Sequence, residues 1–275
     1  MRLNKPKFWD AGHWFFPILL LPLTLITHLI NFLKKKIIRN KKFNTNIICV
    51  GNIYIGGTGK TPASILIANE LLKFKKNPVI LRKFYKNQLD EHNMIKENFK
   101  NLIIAQNRVD GILRAEKANH DFVIMDDGFQ DIKIRKNLNI ICFNHNQLIG
   151  NGFVLPSGPL RESFSSIKNA EIVLINGNKD EKFESHLLKI NPNINIFYSS
   201  YLPKNIDEFK NKKLLAIAGI GNPSNFFELI EKYNLKIEKK LIYPDHHEFS
   251  KTDINYITNL AKENNYQVVM TEKDY

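Results

Sequence analysis

A chain of 275 residues with 43% hydrophobic content can bury a substantial core, which excludes a largely disordered protein and fits one large domain or two modest ones. Lys and Arg number 40 against 27 Asp and Glu, a net charge of +13, so the expected partner is anionic: nucleic acid, acidic phospholipid or a phosphorylated metabolite. The two cysteines, Cys49 and Cys142, sit in the apolar runs IICV and IICF without metal-ligand spacing or a paired framework, which predicts small core residues in a reducing compartment.

In chain order, the first element is the run from Trp14 to Leu33, which carries no Asp, Glu, Lys or Arg and is long enough to cross a bilayer. Pro17 and Pro22 predict interruption of a helix there. Lys34, Lys35, Lys36 and Arg39 follow at once, a cluster suited to anionic headgroups on the cytoplasmic side. The segment reads as one that dips into or lies along the membrane interface; a helix packed on the core or on another subunit is the competing reading. No small-residue cleavage site follows, which argues against a cleaved signal peptide.

Strands are predicted at Asn46 to Val50, Pro78 to Leu81, Leu102 to Ala105, Phe122 to Met125, Asn139 to Phe143 and Glu171 to Ile175, with helices at Thr61 to Phe74 and Asp110 to Asn119 between them. This alternation predicts an α/β fold of the P-loop NTPase kind, a mainly parallel sheet with helices on both faces. A second α/β set follows: strand Lys213 to Ala218, helices Pro223 to Tyr233 and Lys251 to Asn264, strand Gln267 to Met270. The polar stretch 191–213 is the expected linker, although its IFYSSYL portion also suits a strand. The predicted organisation is a membrane-associating helical segment (1–40), a kinase-sized core (41–195) and a smaller C-terminal lobe (196–275).

The sharpest motif is Gly51-Asn52-Ile53-Tyr54-Ile55-Gly56-Gly57-Thr58-Gly59-Lys60-Thr61-Pro62, placed between a strand and a helix as a phosphate-binding loop requires. Gly56, Gly57, Thr58 and Gly59 let backbone N–H groups turn around phosphate oxygens, and the helix N-terminus adds partial positive charge. Lys60 is expected at the β- and γ-phosphates of a nucleotide and the Thr61 hydroxyl on Mg²⁺. Tyr54 stands where the strict pattern has glycine, and Ile55 where the membrane-associated partitioning ATPases carry a second lysine. Downstream, the strand Phe122-Val123-Ile124-Met125 ends in Asp126 and Asp127, either of which suits the magnesium shell. The segment Asn178-Lys179-Asp180-Glu181 is close to a guanine-specificity motif, but Glu181 replaces the required Asp; Asn178-Lys179 reads as a loop, and ATP is favoured over GTP.

With these residues in place, the chain resembles the tetraacyldisaccharide 4'-kinase family over nearly its whole length. GNIYIGGTGKTP is similar to that family's phosphate loop, Met125-Asp126-Asp127-Gly128-Phe129-Gln130 to its DDGxQ signature, and the run Gly150 to Glu162 to its GNGxxLPxGPLRE signature. Gly219-Ile220-Gly221-Asn222-Pro223, Tyr243-Pro244-Asp245-His246-His247 and Thr271-Glu272-Lys273-Asp274 follow in the family's order. The resemblance implies Mg²⁺-dependent transfer of the ATP γ-phosphoryl group to the 4'-hydroxyl of a tetraacylated glucosamine disaccharide 1-phosphate, giving lipid IVA at the cytoplasmic face of the bacterial inner membrane. It implies catalytic Asp90 assisted by His246 or His247, catalytic Lys60, and Arg161 and Glu162 around nucleotide and metal. The implied partners are the glycolipid and the membrane surface, with no nucleic acid and no obligate protein partner.

The family's Arg-Gly-Tyr-Gly appears here as Arg82-Lys83-Phe84-Tyr85, the loop to Asp90 is short, and Asp131 stands where His is common. The chain ends at Tyr275 where family members continue, which reads as a reduced version or a fragment. The alternative function is a membrane-associated P-loop switch acting on a protein partner, which has no need of Asp90 or the histidine pair.

Overall fold

The computed structural model describes residues 6–9, 15–85, 88–203 and 205–275; Trp14, where the predicted apolar segment starts, lies outside them. The described residues form two compact units, the larger of residues 6–85 and 95–200, the smaller of 88–94 and 201–275.

The larger unit opens with α1 (Phe15–Ile37) and then runs β1 (Asn46–Gly51), α2 (Lys60–Lys73) and β2 (Pro78–Lys83). Helix α3 (Leu89–Asn98), whose first turn is in the smaller unit, leads to β3 (Leu102–Ala105), α4 (Arg108–Lys117), β4 (Phe122–Asp126), β5 (Leu138–Asn144), β6 (Ile172–Asn176), α5 (Glu181–Ile190) and β7 (Asn195–Ser199). The seven strands are parallel in the order β3-β2-β4-β1-β5-β6-β7. In β1, Ile47, Ile48, Cys49 and Val50 are all buried, so both faces are covered and the strand reads as an unbroken apolar run. The chain crosses from β4 to β5 past β1, and the carboxyl ends of strands at such a reversal are where an open α/β sheet binds ligands.

In the smaller unit, β8 (Leu214–Ala218), α6 (Pro223–Lys232), β9 (Ile237–Ile242), α7 (Lys251–Asn264) and β10 (Gln267–Met270) build a parallel sheet in the order β10-β8-β9. Central β8 divides its side chains by alternation: Leu214, Ala216 and Ala218 pack on Phe227 and Ile230 of α6. Leu215 and Ile217 pack on Ile257 of α7. Edge strand β9 has no counterpart in the predicted elements, because its Glu238, Lys239 and Lys240 face solvent and leave no apolar run. Within the expected linker, β7 claims the IFYS residues and a single helical turn (Ile206–Phe209) follows.

Helix α1 corrects the expectation that proline breaks this segment, for it runs unbroken through Pro22. Pro17 falls in the first turn, where the N–H it lacks would have had no helical partner. The helix is inverted relative to a core helix. Thr24, 5% exposed, meets Ser157 Oγ at 2.7 Å and donates to the Val154 carbonyl at 3.3 Å, and Thr27 donates to the Leu155 carbonyl at 3.1 Å. Phe15, Phe16, Leu19, Leu25, Ile26 and Leu29 are exposed instead. The stretch Phe15–Lys34 has a mean hydropathy of 1.9, long and apolar enough to cross a membrane by length and composition, and 11% of it is buried.

Candidate active site

Strand β1 runs into the glycine turn, and α2 begins at Lys60 with Gly59 as its cap in the left-handed conformation (φ 85°). Gly56 also has positive φ (108°), and a Cβ there would meet nothing within 4 Å, so backbone conformation rather than crowding requires glycine. Buried Asn52 ties the turn together by donating to the Gly56 carbonyl (3.3 Å) and Thr58 Oγ1 (2.9 Å). Tyr54, the departure from the strict pattern, is 1% exposed and packs in the main core. It needs no positive φ and is bridged to Leu160. The Ile55 N–H to Pro159 carbonyl (2.9 Å) and Arg161 N–H to Ile53 carbonyl (2.7 Å) bonds complete this seam. The GNGxxLPxGPLRE run thus serves as a splint for the phosphate turn and delivers Arg161 beside it.

Parallel pairing sets Val50 against Asp126, which brings the end of β4 to the first turn of α2. Asp126 is fully buried and accepts from Thr61 Oγ1 (3.1 Å), Ser64 Oγ (3.1 Å) and Arg82. Asp127 adopts φ 54°, held by its own N–H on the Val50 carbonyl (2.9 Å) and by Arg108 on its carbonyl (2.6 Å). Its carboxylate faces Arg161 Nη1 at 2.8 Å and Lys60 Nζ at 3.8 Å. Burial pushes the Asp127 carboxyl upward, but the charges of Lys60 and Arg161 outweigh it and hold the group below the usual carboxylate range. Burial likewise pulls the Lys60 ammonium below the ordinary lysine value, with Asp127 offsetting part of that. Glu162 is partly buried, and its charge acts on Lys136. Among the described residues no three His, Cys, Asp or Glu side chains gather into a metal cage, so Asp126, Asp127 and Glu162 are not a preassembled three-carboxylate site.

Arg82, Arg108 and Ser64 are site residues that motif reading missed. The available signal was an arginine ending an apolar strand, since a buried charge requires a partner. We expect Arg82→Met to lower unfolding free energy by about 3 kcal/mol in urea denaturation, because it strands the Asp126 carboxylate in the core. Adding Asp126→Asn should recover part of that loss.

A second cluster lies in the smaller unit. Asp90, in the first turn of α3, meets His246 Nδ1 at 2.8 Å and 3.0 Å through its two oxygens. Lys273 Nζ lies 2.9 Å from Asp245, 3.3 Å from Glu91 and 3.5 Å from Asp90. Burial would raise the Asp90 carboxyl, yet the His246 hydrogen bond and the Lys273 charge prevail and hold it below the usual range. His246 and His247 part company here. His246 has φ 58° and donates its N–H to the Gly219 carbonyl at 3.1 Å. His247 stacks on Tyr243 (4.7 Å between centroids), and its Nε2 meets Asp253 at 3.2 Å. Asp253 closes the capping box of α7 with Ser250, so His247 braces a helix start.

A parallel sheet whose central strand feeds a glycine turn and a helix N-terminus, with an aspartate from the next strand against the helix hydroxyl, defines a P-loop nucleotide-binding protein. The sequence model of the family described as tetraacyldisaccharide-1-P 4'-kinase matches residues 14–275. The tetraacyldisaccharide 4'-kinase of Pelagibacter ubique is 44% identical across 100% of this chain and 88% of its own length. That of Rickettsia bellii is 31% identical, with 100% and 89% covered. A crystal structure of LpxK from Aquifex aeolicus, described as in complex with ATP, superposes with a TM-score of 0.67 at 23% identity, covering 94% of this chain and 89% of that one; it corroborates the fold. The chain belongs to the tetraacyldisaccharide-1-P 4'-kinase family.

Proposed function

We propose that this protein transfers the γ-phosphoryl group of ATP to the 4'-hydroxyl of a tetraacyldisaccharide 1-phosphate, yielding lipid IVA. The Asp90–His246 pair carries this reading. Transfer to an alcohol needs a group that accepts the hydroxyl proton, whereas a nucleotide-driven switch does not. The Asp90 carboxylate takes the proton from the 4'-hydroxyl, that oxygen bonds to the γ-phosphorus, and the bond to the ADP oxygen breaks. The phosphate turn, Lys60 and Arg161 orient the triphosphate and meet charge spreading over the transferring group. The donor set fits Mg²⁺, which characteristically takes one or two protein oxygens and completes its shell with phosphate and water. Thr61 would ligate it, with Asp126, already paired to Arg82, orienting Thr61 from behind. When bound, Mg²⁺ would supply positive charge to offset that of the triphosphate.

The test is incubation with radiolabelled ATP and the purified disaccharide acceptor, followed by extraction of the lipid product. Label in the lipid supports transfer. Vigorous ATP hydrolysis with no labelled lipid overturns it in favour of a switch.

The inverted polarity of α1 supports work at a bilayer, with its hydroxyls spent on the protein and its apolar side chains outward. Lys34, Lys36 and Arg39 lie at or just beyond its end, which favours the cytoplasmic face of the inner membrane. The exposed pair Leu25→Asp and Leu29→Asp should cut co-sedimentation with anionic phospholipid vesicles to about a tenth or less. Undiminished sedimentation would rule out α1 as the anchor.

A further inference from the structure

Three carboxylates, Asp90, Glu91 and Asp245, converge in the smaller unit on one lysine. Lys273 sits on the turn after β10, its side chain 15% exposed, at 3.5, 3.3 and 2.9 Å from them. Lysine is seldom buried this far without charged partners. The turn is fastened: Asp274 accepts from Thr271 Oγ1 at 2.6 Å and from the Gly219 N–H at 3.0 Å. The carbonyl of the same Gly219 accepts the N–H of His246. Space at Gly219 is tight, since a Cβ there would stand 2.8 Å from Asp274 Oδ1. Gly219, the residue just after β8, therefore registers both His246 and Lys273 against Asp90, His246 through its carbonyl and Lys273 through its N–H.

We propose that Lys273 is a positioning residue of phosphoryl transfer: it fixes Asp90 in the orientation that His246 sets and supplies the positive charge that keeps three adjacent carboxylates together. The inference rests on the reading of Asp90 as the group that accepts the hydroxyl proton. Lys273 exchanges no proton itself. Among the described residues, the titratable and charged groups around Asp90 are Glu91 on its own helix, Asp245 and His246 from the loop after β9, and Lys273. Without Lys273, like-charge repulsion from Glu91 and Asp245 and partial burial weigh more heavily on Asp90 against the His246 contact, and both disfavour its ionised form. The acid side of the pH–rate profile then moves to higher pH.

The experiment is steady-state transfer to the tetraacyldisaccharide acceptor by the full chain, from about pH 3.5 to about pH 9, a window that reaches the carboxylate range. Lys273→Met should lower kcat about 10- to 100-fold, leave KM for ATP within about twofold, and lose activity on acidification at higher pH than the unaltered protein. Lys273→Arg should restore the position of that acid limb, with kcat still reduced because a planar fork does not replace a point charge among three acids. A uniform drop for Lys273→Met, with an unmoved acid limb, would make the lysine purely structural and overturn the proposal. If Lys273→Met does not fold, Lys273→Arg decides: a displaced acid limb despite retained charge refutes it. Asp90→Asn run alongside separates the two claims. Full transfer by that variant would remove Asp90 from its role, whereas an inactive Asp90→Asn with an unshifted Lys273→Met profile would discard Lys273 alone.

Discussion

Asp90→Asn should reduce kcat by about 10²- to 10⁴-fold, the usual contribution of a positioned base, while leaving KM for ATP and the melting temperature near those of the unaltered protein. Asparagine keeps the shape and can still accept the His246 hydrogen bond, so the loss isolates proton acceptance. The sign of the pH dependence follows from the site. Because the Asp90 carboxyl is held below its usual range, its charged form persists through neutral pH and is lost only as pH falls through that lowered value. Asp90 should thus impose no acid limb between about pH 6 and pH 8. Normal transfer by Asp90→Asn would leave the His246 pairing without a chemical purpose.

On the proposed role of Lys60, in which its ammonium meets charge present in the bound nucleotide and larger in the transition state, Lys60→Ala should lower kcat/KM by at least about 10³-fold, with both kcat and KM for ATP affected. The fold should survive, because Asp127 retains Arg161 on its carboxylate and Arg108 on its carbonyl. An unchanged melting curve beside the lost activity would place the effect in chemistry. Lys60→Arg is expected to rescue little, because a planar guanidinium presents its donors in a fixed fork rather than as a compact point charge. Retention of more than about a tenth of activity by Lys60→Ala would remove the lysine from the phosphate site.

What was legible in the sequence follows from range. β1, β4 and β8 announce themselves because a parallel strand covered on both faces is an apolar run, and GGTGKT because its chemistry is local. Edge strand β9 is mostly solvated and carries no such signal. The near-match to a guanine motif proves to be a helix start, Asp180 accepting the Phe183 N–H at 2.9 Å to cap α5; cap and recognition loop draw on the same residue types. Pro22 misled because proline's cost in a helix is an average, and here the helix is held by Thr24 and Thr27 on either side of the next turn. Arg82, Arg108 and Lys273 were invisible as site members, since their partners lie on other elements and only the folded chain brings them together. His246 and His247 were legible as a pair of candidates, but only the folded chain shows that they turn to different carboxylates, Asp90 and Asp253.

The segment from Val154 to Arg161 touches α1 on one side and the phosphate turn on the other, with no flexible tether between. If α1 seats the protein on a bilayer, as proposed, the height of the phosphate turn above the lipid is an attribute of the fold, as fixed as a strand register. On that reading, a glycolipid held in the bilayer by its acyl chains would need its sugar hydroxyl at that height, and headgroup reach rather than chain chemistry would be the dimension that this arrangement measures.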